Sequence, residues 1–255
     1  MQAFEEARRE AAAYLQEQRA GIGTLRERSL HAALKYWLEP DERFHEVKLE
    51  QGCVADICDG HRVVEIQTGN LYALRDKLTA LLPAWPVTVV HPLPRRKRLI
   101  WVEPESGEAT PPRLTPKTGR FTDALDQLYG LLPLIGDPNL TVVLLLVDLD
   151  EYRLRDGWSR DGKRGSHRTE RFPTAMGDSL ALSCREDYAK LLPDGLPAAF
   201  TVAEFGRAAR LTPNKAGKAV RFFVRLGLVT RTGKRGRAYE YERTGDICGE
   251  ECIYQ

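Results

Sequence analysis

The spacing of hydrophobic positions changes several times along the chain, and each change predicts an element. Residues 3–20 (AFEEARREAAAYLQEQRA) are rich in strong helix formers. Gly21 and Gly23 break that helix. Thr24 is placed to cap a second one running to Trp37 or Leu38, with Leu30, Leu34, Trp37 and Leu38 as its apolar stripe. Pro40 ends it, and the alternation in FHEVKLE from Phe44 predicts a strand. From Val54 to Leu82 the pattern reads strand, tight turn, strand, helix. Asp59-Gly60 supplies a two-residue turn signal, and Asn70 a helix cap ahead of Leu71, Leu74, Leu78, Leu81 and Leu82. An apolar strand follows from Val87 to Val90. The intervening helix predicts that it lies parallel to the strand before it.

Further on, Arg95, Arg96, Lys97 and Arg98 are expected at a turn between two strands, before Leu99 to Val102. Residues 103–120 read as Pro-, Gly- and Thr-rich loop. Phe121, Leu125, Leu128 and Leu132 predict a helix capped by Thr118 or Thr122. Leu140 to Leu149 (LTVVLLLVDL) is the most buried-looking strand, expected in the centre or late in the same sheet. Glu151 to Pro173 shows no period and is expected to be a long loop, rich in arginine around Trp158 and His167. Two capping-box patterns, at Ser183 and Thr201, open helices. Thr212-Pro213 opens a third, with Ala216, Val220, Phe223 and Val224 inward and Gly227 at its end. Two short strands then flank Gly233-Lys234-Arg235-Gly236.

Composition narrows the class. With 255 residues, 42% hydrophobic and 29% charged, the chain has the makings of an ordinary globular protein with ample core. The N-terminal MQAFEEARRE has no apolar signal core, and no apolar run reaches membrane-span length. A cytoplasmic, non-membrane protein is the expectation. Five scattered cysteines (53, 58, 184, 248, 252) lack the spacing of a zinc site. Net charge is +2. Phe200 to Arg243, however, holds eleven Lys/Arg against three Asp/Glu, a local +8, so the remainder carries −6.

The chemistry gathers on the hairpin. A two-residue turn would pair Cys58 with His61 and put Asp56, Glu65 and Gln67 on one face, with Asp56 and Glu65 diagonal neighbours. Ala55, Ile57, Val64 and Ile66 then face a core. Two acids on one face repel each other, and a hard divalent cation would relieve the repulsion. At these residues, from about Leu25 to Pro94, the chain resembles the PD-(D/E)XK nuclease superfamily. Asp56 would match its first acid, with Glu46 and Glu50 as rival candidates, and Glu65-Ile66-Gln67 its E-x-K strand, with Gln67 where lysine is usual. Lys77, three residues past Leu74, is placed to reach back and supply the cation, and Glu27 on the second helix matches the superfamily's helix Glu. The resemblance implies magnesium (or manganese) on Glu27, Asp56 and Glu65, with Asp56, Glu65, Gln67 and Lys77 catalytic. It also implies phosphodiester hydrolysis, and a homodimer is among its expectations.

The C-terminal stretch resembles winged helix-turn-helix DNA-binding domains, in which the second helix enters the groove and a hairpin wing touches the backbone. That resemblance implies DNA contacts from Lys215, Lys218, Arg221, Lys234, Arg235 and Arg237. The cluster of Arg95, Arg96 and Lys97 adds phosphate contacts beside the nuclease face. The expected architecture is α/β. An N-terminal helix (1–23) precedes a restriction-endonuclease-like mixed sheet flanked by helices (24–182), a small winged-helix domain (183–244) and a tail (245–255). Two other functions remain open: a nuclease fold without catalysis, acting as a DNA-binding or regulatory adaptor, and a transcription factor sensing a ligand.

Overall fold

The computed structural model describes residues 2–20, 29–158 and 164–244. Helix α1 (Gln2–Ala20) packs on α2 (Ser29–Leu38) through Ala7, Ala11, Ala32 and Ala33, small side chains that permit close approach. Seven strands form one mixed sheet: β1 (His45–Lys48), β2 (Val54–Cys58), β3 (Val63–Ile66), β4 (Val87–Val102), β5 (Arg113–Leu114), β6 (Leu140–Trp158) and β7 (Arg164–Leu182). Their order is β1-β2-β3-β4-β6-β7, with β5 on the far part of β4. β3, β4 and β6 run parallel and the other pairs antiparallel.

β6, expected in the centre or late in the sheet, lies late in it, between β4 and the edge strand β7, and its alternation sorts the two core layers. Leu140, Val142, Leu144 and Leu146 face the layer of α3 (Arg75–Leu81) and α4 (Leu125–Leu128). Leu145, Val147 and Leu149 face Leu30 and Leu34 of α2. A strand buried on both sides reads as an unbroken apolar run for this reason. Asn70 caps the turn leading to α3 by accepting from Tyr72 N–H at 3.0 Å, and the five leucines expected inward there are buried.

Two stretches differ from their sequence patterns. Arg95 to Arg98 lie within continuous β4 rather than at a turn. Arg95 pairs with Asp148 at 2.7 Å, Arg98 with Asp150 at 2.6 Å, and Lys97 with Glu151 at 3.1 Å, all on β6. Residues 151–158 and 164–173 extend the β6–β7 hairpin instead of forming a loop, with Glu151 opposite Arg171 and Tyr152 opposite Glu170. Across the extension Arg171 lies 3.8 Å from Glu151, which also pairs with Arg153 at 2.7 Å, and Tyr152 meets Phe172 edge-to-face at 5.5 Å. Charge pairing of this kind leaves no hydrophobic period in the sequence, so the strands were invisible to it.

The C-terminal unit comprises α5 (Arg185–Ala189), β8 (Ala199–Thr201), α6 (Val202–Ala209), α7 (Pro213–Arg225), β9 (Val229–Arg235) and β10 (Ala238–Arg243). The strands pair in the order β8-β10-β9. Thr201 and Glu204 form the expected capping box, with Glu204 Oε2 accepting from Thr201 N–H at 2.7 Å. At α5 the box is shifted by one: Asp187 accepts from the amides of Ser183 and Cys184. Likewise Asp123, not a threonine side chain, caps the turn before α4 through Arg120 N–H at 3.1 Å. α7 buries Ala216, Ala219, Val220, Phe222 and Phe223, while Val224, expected inward, is exposed. Phe222 takes that inward place, packing edge-on to Tyr188 and Phe223 at 5.8 and 5.5 Å. Phe205, Phe222 and Phe223 belong to the same apolar cluster as Leu125 and Leu128 of α4. The C-terminal unit is therefore docked on the sheet's helical layer through a shared core.

Candidate active site

β2 and β3 pair with Ile57 opposite Val64 and Cys58 opposite Val63. The connection is thus four residues long, not the two that Asp59-Gly60 alone suggests. Asp59 Oδ1 accepts from both His61 N–H and Arg62 N–H at 2.9 Å, and Gly60 takes φ 86°. A side chain that satisfies two turn amides competes with the tighter hairpin. Val63 N–H, meanwhile, bonds to Pro86 O at 2.9 Å, just ahead of β4. The register slips by two residues, which preserves the face and brings Asp56 from diagonal to directly opposite Glu65.

Glu65 is almost wholly buried, with only 3% of its side chain exposed. Its Oε2 accepts from Lys77 Nζ at 2.5 Å, and Lys77 also donates to Val54 O at 2.6 Å. Lys77 thus reaches back from α3 to the strand ends. Glu65 Oε1 is buried and has no hydrogen-bond partner among the described residues. Asp56 Oδ2 accepts from Ile66 N–H at 2.7 Å and lies 3.1 Å from His31 Nε2 of α2.

These surroundings drive the two acids apart. Burial, and then the charge of Asp56, push the Glu65 carboxyl up to about 7 despite the opposing Lys77 and, least of all, the Asp56 backbone amide. Burial also works on Asp56, but the bond and charge of His31, the Ile66 amide and Lys77 together hold it below its ordinary value. One carboxylate is ionised throughout the neutral range while its neighbour titrates within it, a separation typical of sites that move protons.

Gln67 shares their face, yet its side chain folds back, with Oε1 accepting from Gly69 N–H at 3.2 Å. Its carbonyl accepts from Nδ1 of His91 at 2.6 Å. His91 is buried, and burial pulls its pKa down against that bond, leaving a neutral ring. Glu27 lies outside the described residues. Among those described, no group of three or more His, Cys, Asp or Glu is gathered around a metal position.

The basic positions are largely engaged. Arg95 and Lys97 are paired as above, Arg96 is exposed, and its N–H bonds to Asp148 at 3.1 Å. Lys218 and Lys215 lie 2.8 and 3.7 Å from Asp126 of α4, and Arg221 sits 6.0 Å above the Tyr129 ring. Arg235 ties the β9–β10 hairpin to α6 through Glu204 at 2.8 Å and to Glu240. Lys234 lies over Tyr239 at 5.2 Å, and Arg237 lines an open groove beside α6 and α7.

Sequence reasoning missed His31 and the acids Asp126, Asp148, Asp150 and Glu151. His31 follows Leu30 on an amphipathic helix and carries no motif. The acids of the DLDE run at 148–151 could have been matched to the RRKR run at 95–98 had both been placed on adjacent strands.

The fold and site define a mixed α/β protein with a buried acid pair and a helix-borne lysine beside the parallel core of its sheet. The chain belongs to the family described as "Domain of unknown function (DUF8091)", whose model matches residues 28–183, a span that includes α2, the hairpin and Lys77. It is 30% identical over 229 residues to an uncharacterised protein of Treponema pallidum (strain Nichols), covering 88% of this chain and 89% of the relative. No solved structure matches.

Proposed function

We propose that the protein is a metal-dependent phosphodiesterase acting on nucleic acid. The observation that carries this reading is the orphaned Glu65 Oε1 beside Asp56, with Lys77 on the same carboxylate. A buried carboxylate oxygen without a donor is costly unless something positive reaches it. Hard oxygen donors fit magnesium, which takes one or two carboxylates and fills its other positions with water and phosphate. Asp56 and Glu65 would hold it, with Glu27 as a third contributor. Bound there, the ion supplies charge against the phosphate and lowers the pKa of a water ligand.

The chain's own groups divide the remaining work. Asp56 is kept ionised and oriented by Ile66 N–H and His31. Lys77 spends two N–H groups on Val54 O and Glu65, which leaves one for a phosphate oxygen or the attacking water. It supplies the positive charge that Gln67 cannot. The order β1-β2-β3-β4-β6 with helices on both faces supports a nuclease-like fold. The sequence helix, strand, helix, helix and hairpin in the C-terminal unit supports a winged helix, with DNA as partner.

A second reading, a non-catalytic adaptor with the same fold, is favoured by one observation: Gln67 folds onto Gly69 and away from the acid pair. Labelled single-stranded, duplex and branched DNA incubated with magnesium or manganese separates the two. Metal-dependent cutting by the wild type, lost in Glu65→Ala and Lys77→Ala, supports the phosphodiesterase. Binding without cutting, equal in all three proteins, overturns it in favour of the adaptor.

A further inference from the structure

On the side of α3 away from the acid pair, α3 and the segment after α4 meet the end of α7 in a groove of about 640 Å3. Tyr72 and Tyr129 line it, together with Arg75 and Arg225, and no acidic side chain does so among the described residues. Tyr72 is 57% exposed, unusual for an aromatic ring with no role in the core. The Arg75 guanidinium lies 5.1 Å from the Tyr72 ring centre, and Arg221 lies 6.0 Å from that of Tyr129. Gly130 lets the two segments approach, since a Cβ there would sit 3.1 Å from Tyr72 Cβ.

We propose that this groove binds single-stranded nucleic acid, with Tyr72 and Tyr129 as platforms for unpaired bases and Arg75, Arg221 and Arg225 facing the phosphates. Exposed aromatic faces interleaved with arginines are what a flexible polyanion with π-faced bases requires. A duplex keeps its bases stacked on one another and has no use for the rings. The proposal rests on the phosphodiesterase reading for its purpose, and it names the substrate class of that site. Arg75 and Lys77 stand two residues apart on the same short helix and project from opposite sides of it. The groove and the acid pair therefore flank α3, and a strand held in the groove must cross that helix to reach the acids. The C-terminal end of α7 supplies one wall of this groove through Arg225 and Leu226.

Fluorescence anisotropy of a labelled twenty-nucleotide oligothymidylate on the full chain, with EDTA present to prevent cutting, tests the idea. Duplex DNA and an abasic strand of equal length are the comparisons. Wild type should bind the oligothymidylate most tightly. Tyr72→Ala should lose about five- to a hundred-and-fifty-fold, the usual range for one stacked base, and Tyr72→Phe should retain binding. Equal affinity for the abasic strand, tighter binding of duplex, or no effect of Tyr72→Ala would each overturn the proposal. Tyr72-dependent binding by a protein that never cuts would uphold the groove while removing the phosphodiesterase. Cutting with no Tyr72 effect on binding would do the reverse.

Discussion

Replacing Glu65 by Gln should stabilise the metal-free protein, and increasingly so as pH rises. Glu65 is 3% exposed, and its carboxyl has moved from 4.5 to about 7 through burial and the neighbouring Asp56, with Lys77 opposing. A folded-state pKa above the unfolded value means that the fold prefers the protonated acid. The stability linked to that proton is fully present below about pH 4.5 and lost as pH climbs through about 7. At about 1.4 kcal/mol per tenfold change in proton affinity, the full span is worth about 3 kcal/mol. Glutamine has nearly the same shape and no charge to bury, so it should recover most of this at pH 8 and little at pH 5. For a chain of this length the gain corresponds to roughly 6–12 °C in Tm. Thermal unfolding of both proteins in EDTA at pH 5 and pH 8 measures it. Wild type falling no faster than the variant between those two pH values would refute the reasoning, because every other titrating group is common to both.

Three further outcomes follow from the geometry. His31→Leu removes a hydrogen bond and a charge that hold Asp56 down, so carboxyl 13C NMR should show the Asp56 pKa rising; an unchanged titration would mean that His31 does not set it. Gly119→Ala would place a Cβ 1.9 Å from Pro94 O, a backbone atom with nowhere to go, and should cost about 3 kcal/mol in urea unfolding. A cost under ~1 kcal/mol would contradict the close approach. Asp126→Asn unpairs Lys215 and Lys218, partly exposed side chains, so stability should fall by at most about 1 kcal/mol. DNA affinity should rise with a steeper salt dependence if those lysines are freed for phosphate, and an unchanged slope would show that they take no part.

The sequence by itself determined the elements that hydrophobic period and capping chemistry encode. Leu71, Leu74 and Leu78 announced a helix, Asn70 and Thr201 its kind of start, and the unbroken run from Leu140 a strand buried on both faces. It also determined that Asp56 and Glu65 share a face and that Lys77 lies within reach of them, because faces follow from a period of two and reach from helix geometry. Tertiary structure alone decided what those groups meet. The hairpin register came from Asp59 capping two turn amides, a choice that a short local motif does not reveal. The approach of His31 to Asp56 required α2 to settle against the sheet 25 residues away in sequence. The arginines of β4 looked like free phosphate contacts until strand pairing set the acids of β6 beside them. The basic face of α7 likewise looked open until a shared apolar core fixed it against α4. Charges carry no period of their own, so their partners are assigned only when packing has brought distant strands and helices together.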